Sequence, residues 1–474
     1  MMRGNVRRLA AILMAGFVVV GLALGYWQVV RGPALLARAD NPRLVIAEQR
    51  VQRGRILDQH GTVLAYDLVN DDGTTERVYP YPEMVHVTGF YSLRYGVSNI
   101  EATYDRTLRG LAGRSSLQAL ADGLLHRPQV GFDVMLTLDA DLQATADAAL
   151  GGRRGAVIVL DPRTGAILAL VSRPAYDPNR LDEMWEALRE LPDTPLLNRA
   201  TQGLYPPGSV FKTVTLAAAL EAGLASPDEV FTDTTGTLRV GDFTVRCHNH
   251  PGHTTFDLLH AYAYSCNVTF ARLGLRVGTE RLAEMARRFG FEEAPPLEIP
   301  VETSHLAATS PVDTMDEATL AATAFGQGEL MVTPLQMALV TAAVANDGQV
   351  PVVHLVQAVQ DSSGRWHEPA RAAPRAAISP YTAQQLRAAM VLSVKEGRAG
   401  EAALPGVTVA GKTGTAQVGE PGQLPHAWFI GFAPAEAPRA VVVVLVENGG
   451  DGGLVAAPIA REVLKQVLTT DTQD

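Results

Sequence analysis

From Leu9 to Val30 the chain reads LAAILMAGFVVVGLALGYWQVV, without one charged residue. A helix of that length spans the roughly 30 Å hydrocarbon layer of a bilayer, where only helices and closed barrels satisfy their own backbone. Arg3, Arg7 and Arg8 precede the run. Positive charge on that flank holds the N-terminus in the cytoplasm, with Tyr26 and Trp27 suited to the far interface. A cleavable signal would have a shorter apolar stretch ending in small residues rather than Tyr-Trp-Gln, so an uncleaved anchor is the better reading. Residues 1–8 are then cytoplasmic, 9–30 cross once, and the rest is extracytoplasmic. The sequence thus predicts a single-pass protein of the cell (inner, cytoplasmic) membrane.

At 474 residues and 47% hydrophobic content the chain can build more than one folded unit with a large core. A net charge of −10 and the lack of any basic run argue against a nucleic-acid partner. Cysteine occurs only as Cys247 and Cys266. That excludes a disulfide framework and leaves a single short-loop bridge open, with unpaired thiols slightly favoured.

Residues 31–131 carry short alternating runs such as Arg55 to Leu64, with turn-like Asp58 to Gly61 between apolar flanks. They read as a small N-terminal pedestal of short strands and loops. From residue 132 the pattern changes. Asp139 can cap a helix through Leu142 to Leu150, and Ala156–Leu160 and Ala166–Leu170 flank the turn Asp161-Pro-Arg-Thr-Gly165. Val407–Gly411, Ala427–Phe432 and Ala440–Val446 read as three late strands, with a closing helix over Pro458–Leu468. The intervening chain is mostly helical, including a start at Thr333-Pro-Leu-Gln336 with a capping box and a stop at Asn346-Asp-Gly348. Two early and three late strands around helices predict an α+β domain, 132–474, on one central antiparallel sheet flanked by helices.

The chain holds 40 Lys+Arg, but its lysines are Lys212, Lys395, Lys412 and Lys465 alone. Arginine cannot lose its proton in a protein, so a lysine kept in such a chain can mark a titratable amine. Lys212 lies one helical turn past Ser209 in Ser209-Val-Phe-Lys212, after the rigid turn Tyr205-Pro-Pro-Gly208. The amine becomes a base for the hydroxyl if burial or nearby positive charge lowers its pKa. By itself such a string is commonly a helix cap and a solvated charge. Ser265-Cys-Asn267 offers a hydroxyl and an amide, and Lys412-Thr-Gly-Thr415 an amine and two hydroxyls on a β-rich segment. There Gly414 would admit a close backbone approach, and Lys412, Thr413 and Thr415 suit a terminal carboxylate. Each has a bland reading as an ordinary turn or strand; their order within one domain lifts all three.

S-x-x-K, S-x-N and K-T-G in this order resemble the penicillin-binding proteins. Further similarity lies in Gln52-Arg-Gly-Arg-Ile-Leu-Asp58, Leu136–Gln143, Leu160–Gly165, Asn198–Ala200, Gly326-Gln-Gly328 with Val332–Gln336, and Ala427–Gly431. These look like class B members, in the penicillin-binding protein A or division-type subgroup. The resemblance implies the serine β-lactamase-like transpeptidase fold and a cell-wall D,D-transpeptidase that crosslinks peptidoglycan stem peptides and binds β-lactams. It implies Ser209 as nucleophile, Lys212 as base, Ser265 with Lys412 as proton shuttle and Asn267 as substrate holder. Thr413, Gly414 and Thr415 would bind substrate, and the backbone N–H groups of Ser209 and Thr415 would form the oxyanion hole. No cofactor is implied, and the expected protein partner is a polytopic glycosyltransferase.

A β-lactamase shares the fold but needs a carboxylate to place water, and the motifs reveal none between Ser265 and Lys412. A D,D-carboxypeptidase differs only in its acceptor. A non-catalytic sensor or scaffold fits poorly with an intact motif set and only about eight residues before the span. Cys247-His-Asn-His-Pro-Gly-His253 holds four zinc-type ligands, but packed more tightly than the usual paired spacing, so no metal is assigned.

Overall fold

The computed structural model describes residues 2–31, 48–113, 129–232, 236–247, 255–309, 311–419 and 422–470. Helix α1 (Met2–Gly25) carries the apolar run, continued by one wide π-helical turn over Tyr26–Val30. Gly4–Gly25, with mean hydropathy 2.1 and no part of it buried, is long and apolar enough to cross a membrane. The chain divides into two compact units: Met1–Gln52, Asp67–Glu76 and Ser115–Val130 in one, and Arg53–Tyr66, Arg77–Arg114 and Gly131–Asp474 in the other.

The larger unit is organised by a five-stranded antiparallel sheet. Its strands are β1 (Gly155–Leu160), β2 (Ile167–Arg173), β3 (Ala410–Ala416), β4 (His426–Ala433) and β5 (Ala440–Val446). Their spatial order is β3-β4-β5-β1-β2, so the first hairpin joins the last strand, with Val443 opposite Ile158. Strand β5, Ala-Val-Val-Val-Val-Leu-Val, is buried throughout. It can be apolar on both faces because both faces are covered. Val442 and Val444 join a cluster with Leu142, Ala146, Val463 and Leu464, from helices α2 (Ala140–Leu150) and α8 (Ala456–Thr470). Val441, Val443 and Leu445 look the other way, into the main core.

Helices α3 (Lys212–Glu221), α4 (Leu258–Ala263) and α5 (Asn267–Val277) join that core, and α6 (Pro334–Ala345) and α7 (Pro380–Lys395) pack against this second face of the sheet. All twelve residues of α6 are buried, as its largely apolar composition requires, and its polar members Gln336 and Thr341 bond to Phe289 O and Met337 O. Its cap differs from the sequence reading by half. Thr333 Oγ1 accepts from Gln336 N–H at 3.1 Å, but the Gln336 amide donates to the Phe289 carbonyl at 2.9 Å instead of reaching back. Thr333 N–H finds Ser304 Oγ at 2.9 Å. A tertiary acceptor has displaced the reciprocal bond of the capping box.

Around Ile56–Leu57 the region read as strands also contains short helices, among them Asn99–Thr103 and Asp105–Leu108. The Asp58 turn forms as read, Asp58 N–H donating to Thr62 O at 2.9 Å. Ile56–Leu57 pairs in parallel with Val134–Leu136, which pairs antiparallel with Val356–Gln360. Beneath this sheet Glu101, fully buried, accepts from Arg53 and Arg77, each at 2.7 Å, and from the Tyr79 hydroxyl at 3.2 Å. Burial pushes the Glu101 pKa up, but Arg77 and Arg53 outweigh it and keep the group ionised.

Candidate active site

Ser209 sits in a 3₁₀ turn, Gly208–Phe211, that runs directly into α3. Several groups fix that turn. Gly208, at φ +59°, donates to the Gly326 carbonyl at 2.9 Å, and a Cβ on Gly326 would fall 1.7 Å from the Gly208 oxygen. Both glycines are therefore steric requirements. The Trp428 indole N–H donates to Pro206 O at 3.1 Å. The Tyr205 hydroxyl donates to Glu447 at 2.7 Å, and Glu447 also accepts from Arg199 and Arg154, each at 2.7 Å.

Lys212 is fully buried one turn on. Its Nζ lies 2.7 Å from Ser265 O, 2.7 Å from Asn267 Oδ1, 3.0 Å from Ser265 Oγ and 3.1 Å from Ser209 Oγ. The Phe270 ring centre is 5.5 Å away. Burial lowers its pKa from 10.5 to about 7, partly opposed by Cys266 and Cys247. Ser265 occupies the break between α4 and α5 at φ +64°, a left-handed conformation uncommon for serine. That bend presents its carbonyl and hydroxyl together to Lys212. Asn267 begins α5 and donates its Nδ2 to Arg246 O at 3.2 Å.

The Lys-Thr-Gly-Thr segment lies inside edge strand β3, which starts three residues later than the sequence reading of 407–411. Lys412 is fully buried, and its Nζ donates to Thr413 O at 2.8 Å. Burial, then the charges of Lys212 and Arg398, push its pKa well below the ordinary lysine value. Lys412 makes no hydrogen bond to Ser265, so in this resting geometry the serine's partner is Lys212. Thr413 is nearly buried and Thr415 is exposed, accepting from Gly452 N–H at 3.3 Å. A Cβ on Gly414 would meet Pro207 O at 2.8 Å and Trp428 Cβ at 3.0 Å. The close approach that this glycine permits is thus the protein's own nucleophile turn rather than a substrate backbone.

Ser209, Ser265, Asn267, Thr413 and Thr415 line one cleft of about 1100 Å³. Phe243–Arg246, Gln327 and Arg398 border it, as does Asp451, the one carboxylate among its described lining residues, held by Arg398 at 3.1 Å. Sequence reasoning did not find Glu447, Arg398 or Asp451, which are scattered single residues with no local pattern. The cysteines it left open are neighbours, with sulfurs 2.6 Å apart. The three histidines of the zinc-like string, His248, His250 and His253, lie outside the described residues.

Two family models match the chain: the penicillin-binding protein transpeptidase domain over residues 155–465, and the penicillin-binding protein A dimerisation domain over 53–134. The peptidoglycan D,D-transpeptidase PbpA of Mycolicibacterium smegmatis is 38% identical, across 98% of this chain and 99% of its own length. Its Mycobacterium tuberculosis counterpart is 37% identical over the same shares. The solved structure of penicillin-binding protein A from M. tuberculosis, as a ceftriaxone acyl-enzyme, superposes with a TM-score of 0.82 at 38% identity. It covers 89% of this chain and 100% of that one.

Proposed function

The chain belongs to the penicillin-binding protein transpeptidases, and from that premise we propose that Ser209 is its acylated nucleophile and Lys212 the base. The protein is a serine-type peptidoglycan D,D-transpeptidase of cell-wall synthesis that binds β-lactams. The observation that carries the assignment of roles is the hydrogen-bonding capacity of Lys212. A neutral amine has two N–H donors and one lone pair. Its two shortest contacts are carbonyl oxygens, Ser265 O and Asn267 Oδ1 at 2.7 Å, which consume both donors. The lone pair is left for a hydroxyl proton, with Ser265 Oγ at 3.0 Å and Ser209 Oγ at 3.1 Å both in reach. The amine can thus take the proton of one serine and exchange it with the other. A protonated lysine would gain nothing from either hydroxyl as a proton donor.

Ser209 then attacks the penultimate D-alanine carbonyl, its proton passing to Lys212. Negative charge develops on the carbonyl oxygen between the backbone N–H groups of Ser209 and Thr415. The terminal D-alanine leaves with a proton relayed from Lys212 through the Ser265 hydroxyl, 3.0 Å from the amine. Lys412, Thr413 and Thr415 hold the terminal carboxylate. Lys412 acts there through Thr413, whose carbonyl it anchors. Asn267, with one amide N–H on Arg246, keeps the second for the substrate backbone. An amine of a neighbouring stem then takes the acyl group. Water is disfavoured as acceptor because the cleft's described carboxylate, Asp451, is occupied by Arg398.

The catalytic domain, 132–474, faces the extracytoplasmic side, tethered by the single N-terminal span and raised by the 31–131 pedestal. A polytopic glycosyltransferase supplies the glycan strands. Full-length protein in detergent, with and without Ser209→Ala, should be incubated with a fluorescent penicillin. Lasting label on wild type alone is the expected result. Label on the variant, or label that hydrolyses within seconds, would remove the assignment.

A further inference from the structure

The leaving D-alanine carries an amine that meets Ser265 Oγ and a carboxylate that meets Thr413 and Thr415. Arg398 is seated between those two walls of the cleft and takes no part in the steps above. Its backbone N–H donates at 3.4 Å to the carbonyl of Ala263, which ends α4 just ahead of Ser265. Its Nη2 donates to Asp451 Oδ2 at 3.1 Å. Asp451 Oδ1 in turn accepts from Gly453 N–H at 2.8 Å, and the intervening Gly452 N–H donates to Thr415 Oγ1 at 3.3 Å. A Cβ on Gly452 would fall 2.2 Å from Gly414 O, so this turn lies directly against the Lys-Thr-Gly-Thr strand. Having accepted from Gly452, the Thr415 hydroxyl keeps its own hydrogen for an anion.

Arg398 has donors to spare. Among the described residues Asp451 is the one partner of its guanidinium, which lines the cleft at 36% exposure. Two N–H groups would suffice for a carboxylate, and the planar fork suits that shape. Arg246, the other arginine of the cleft, belongs with Asn267 and the donor backbone, and does not reach across to this end through any bond among the described residues.

We propose that Arg398 is a specificity-determining residue of the transfer step, selecting an acceptor amine whose own carbon carries a free carboxylate. This rests on the roles given above to Ser209, Lys212 and Ser265. Transfer runs acylation in reverse with a new amine, so the incoming nitrogen stands where the leaving nitrogen stood and uses the same relay. The neutral amine forms the N–C bond as the Ser209 Oγ–C bond breaks. Its surplus proton passes through Ser265 to Lys212 and from there to Ser209 Oγ, which restores the enzyme. An acceptor of the same hand as D-alanine then lays its carboxylate against Thr413, Thr415 and Arg398. The hydroxyls serve a carboxamide oxygen as readily as a carboxylate; the cation tells the two apart. In a stem peptide this describes the free D-configured end of a diamino diacid, its carboxylate not amidated. The side-chain amine of a lysine offers Arg398 nothing.

The test uses full-length protein in detergent and a thioester of an acylated D-alanine as donor. The Ser209 acyl-enzyme partitions between water and an added amine, and the ratio of amide to acid, read by chromatography, isolates the transfer step from acylation. Per neutral amine, D-alanine should be taken about tenfold better than D-alaninamide, the difference between a charge-assisted and a neutral hydrogen bond. Arg398→Gln should bring the two within about twofold, and Arg398→Lys should keep most of the preference. Asp451→Asn, which frees the guanidinium of its ion pair, should raise the preference and provides a second reading should the glutamine variant not fold. Equal use of the two amines by wild type overturns the inference, as does a preference that survives Arg398→Gln, one that Asp451→Asn leaves unmoved, or acylation with no transfer to either amine. In each of those cases an acylated Ser209 leaves the proposed nucleophile standing; no acyl-enzyme at all removes both.

Discussion

Burial moves the Lys212 pKa from 10.5 to about 7, and this has two separable consequences. At pH 7 the neutral fraction rises from roughly one in three thousand to about one half. Acylation should therefore fall about tenfold per pH unit below about pH 6 and level off above about pH 8. The second consequence is for stability. Unfolded, Lys212 keeps its proton up to 10.5; folded, it gives it up near 7. Between those values the unfolded chain binds the extra proton, so stability rises with pH, by about 1.4 kcal/mol per unit and about 5 kcal/mol over the whole window. Below about pH 7 both states are charged and the full burial penalty stands. A Lys212→Met variant lacks this titration. Subtracting its unfolding free energy from that of wild type at each pH cancels the carboxylates and other groups remote from Lys212, while Lys412, which feels the Lys212 charge, leaves a smaller remainder. Urea titrations followed by tryptophan fluorescence from about pH 7.5 to 9.5 should give a difference rising at close to that slope. A flat difference, or acylation undiminished near pH 5.5, would falsify the reading of Lys212 as a buried base.

Ser265→Ala and Ser265→Gly both delete the hydroxyl 3.0 Å from Lys212 and should both slow acylation. Only glycine relieves the φ of +64°, so it should be about 1 kcal/mol more stable than the alanine variant in thermal melts; equal melting would dispose of the strain. Trp428→Phe leaves Pro206 O without its indole donor. That should cost about 1–3 kcal/mol and slow acylation with unchanged circular dichroism; a wild-type rate would show that the bond does not position Ser209. Glu101→Gln removes the buried carboxylate that Arg53 and Arg77 share, leaving Arg53 its Asp105, and should lower stability by about 3–5 kcal/mol in denaturant titration, while surviving folded enzyme acylates normally.

The sheet was legible because β1, β2, β4 and β5 are apolar runs bounded by turn residues, and their position at the two ends of the domain dictates a shared sheet. The Lys-Thr-Gly-Thr stretch was read as β-rich and lies in β3; only the start was placed three residues early, at Val407, because Val407-Thr-Val409 alternates as a strand does. Ser209 and Lys212 were legible through a local spacing and the scarcity of lysine. Glu447 was not, because its meaning comes from Tyr205, Arg199 and Arg154, none of them near it in sequence. The adjacency of Cys247 and Cys266 likewise depends on the turn at Ser265, whose left-handed backbone no local signal announces.

The pairing of β5 with β1 joins the first hairpin of the five-stranded sheet to the strand of that sheet latest in sequence. Until β5 emerges, β1 has no partner on that side, and β3 and β4 have no attachment to the hairpin. The Lys-Thr-Gly-Thr strand and the Ser209 turn meet only once that gap is filled. A stalled or prematurely terminated chain thus carries its serine and its lysine but cannot be acylated, and labelling by penicillin becomes a report on the completed molecule.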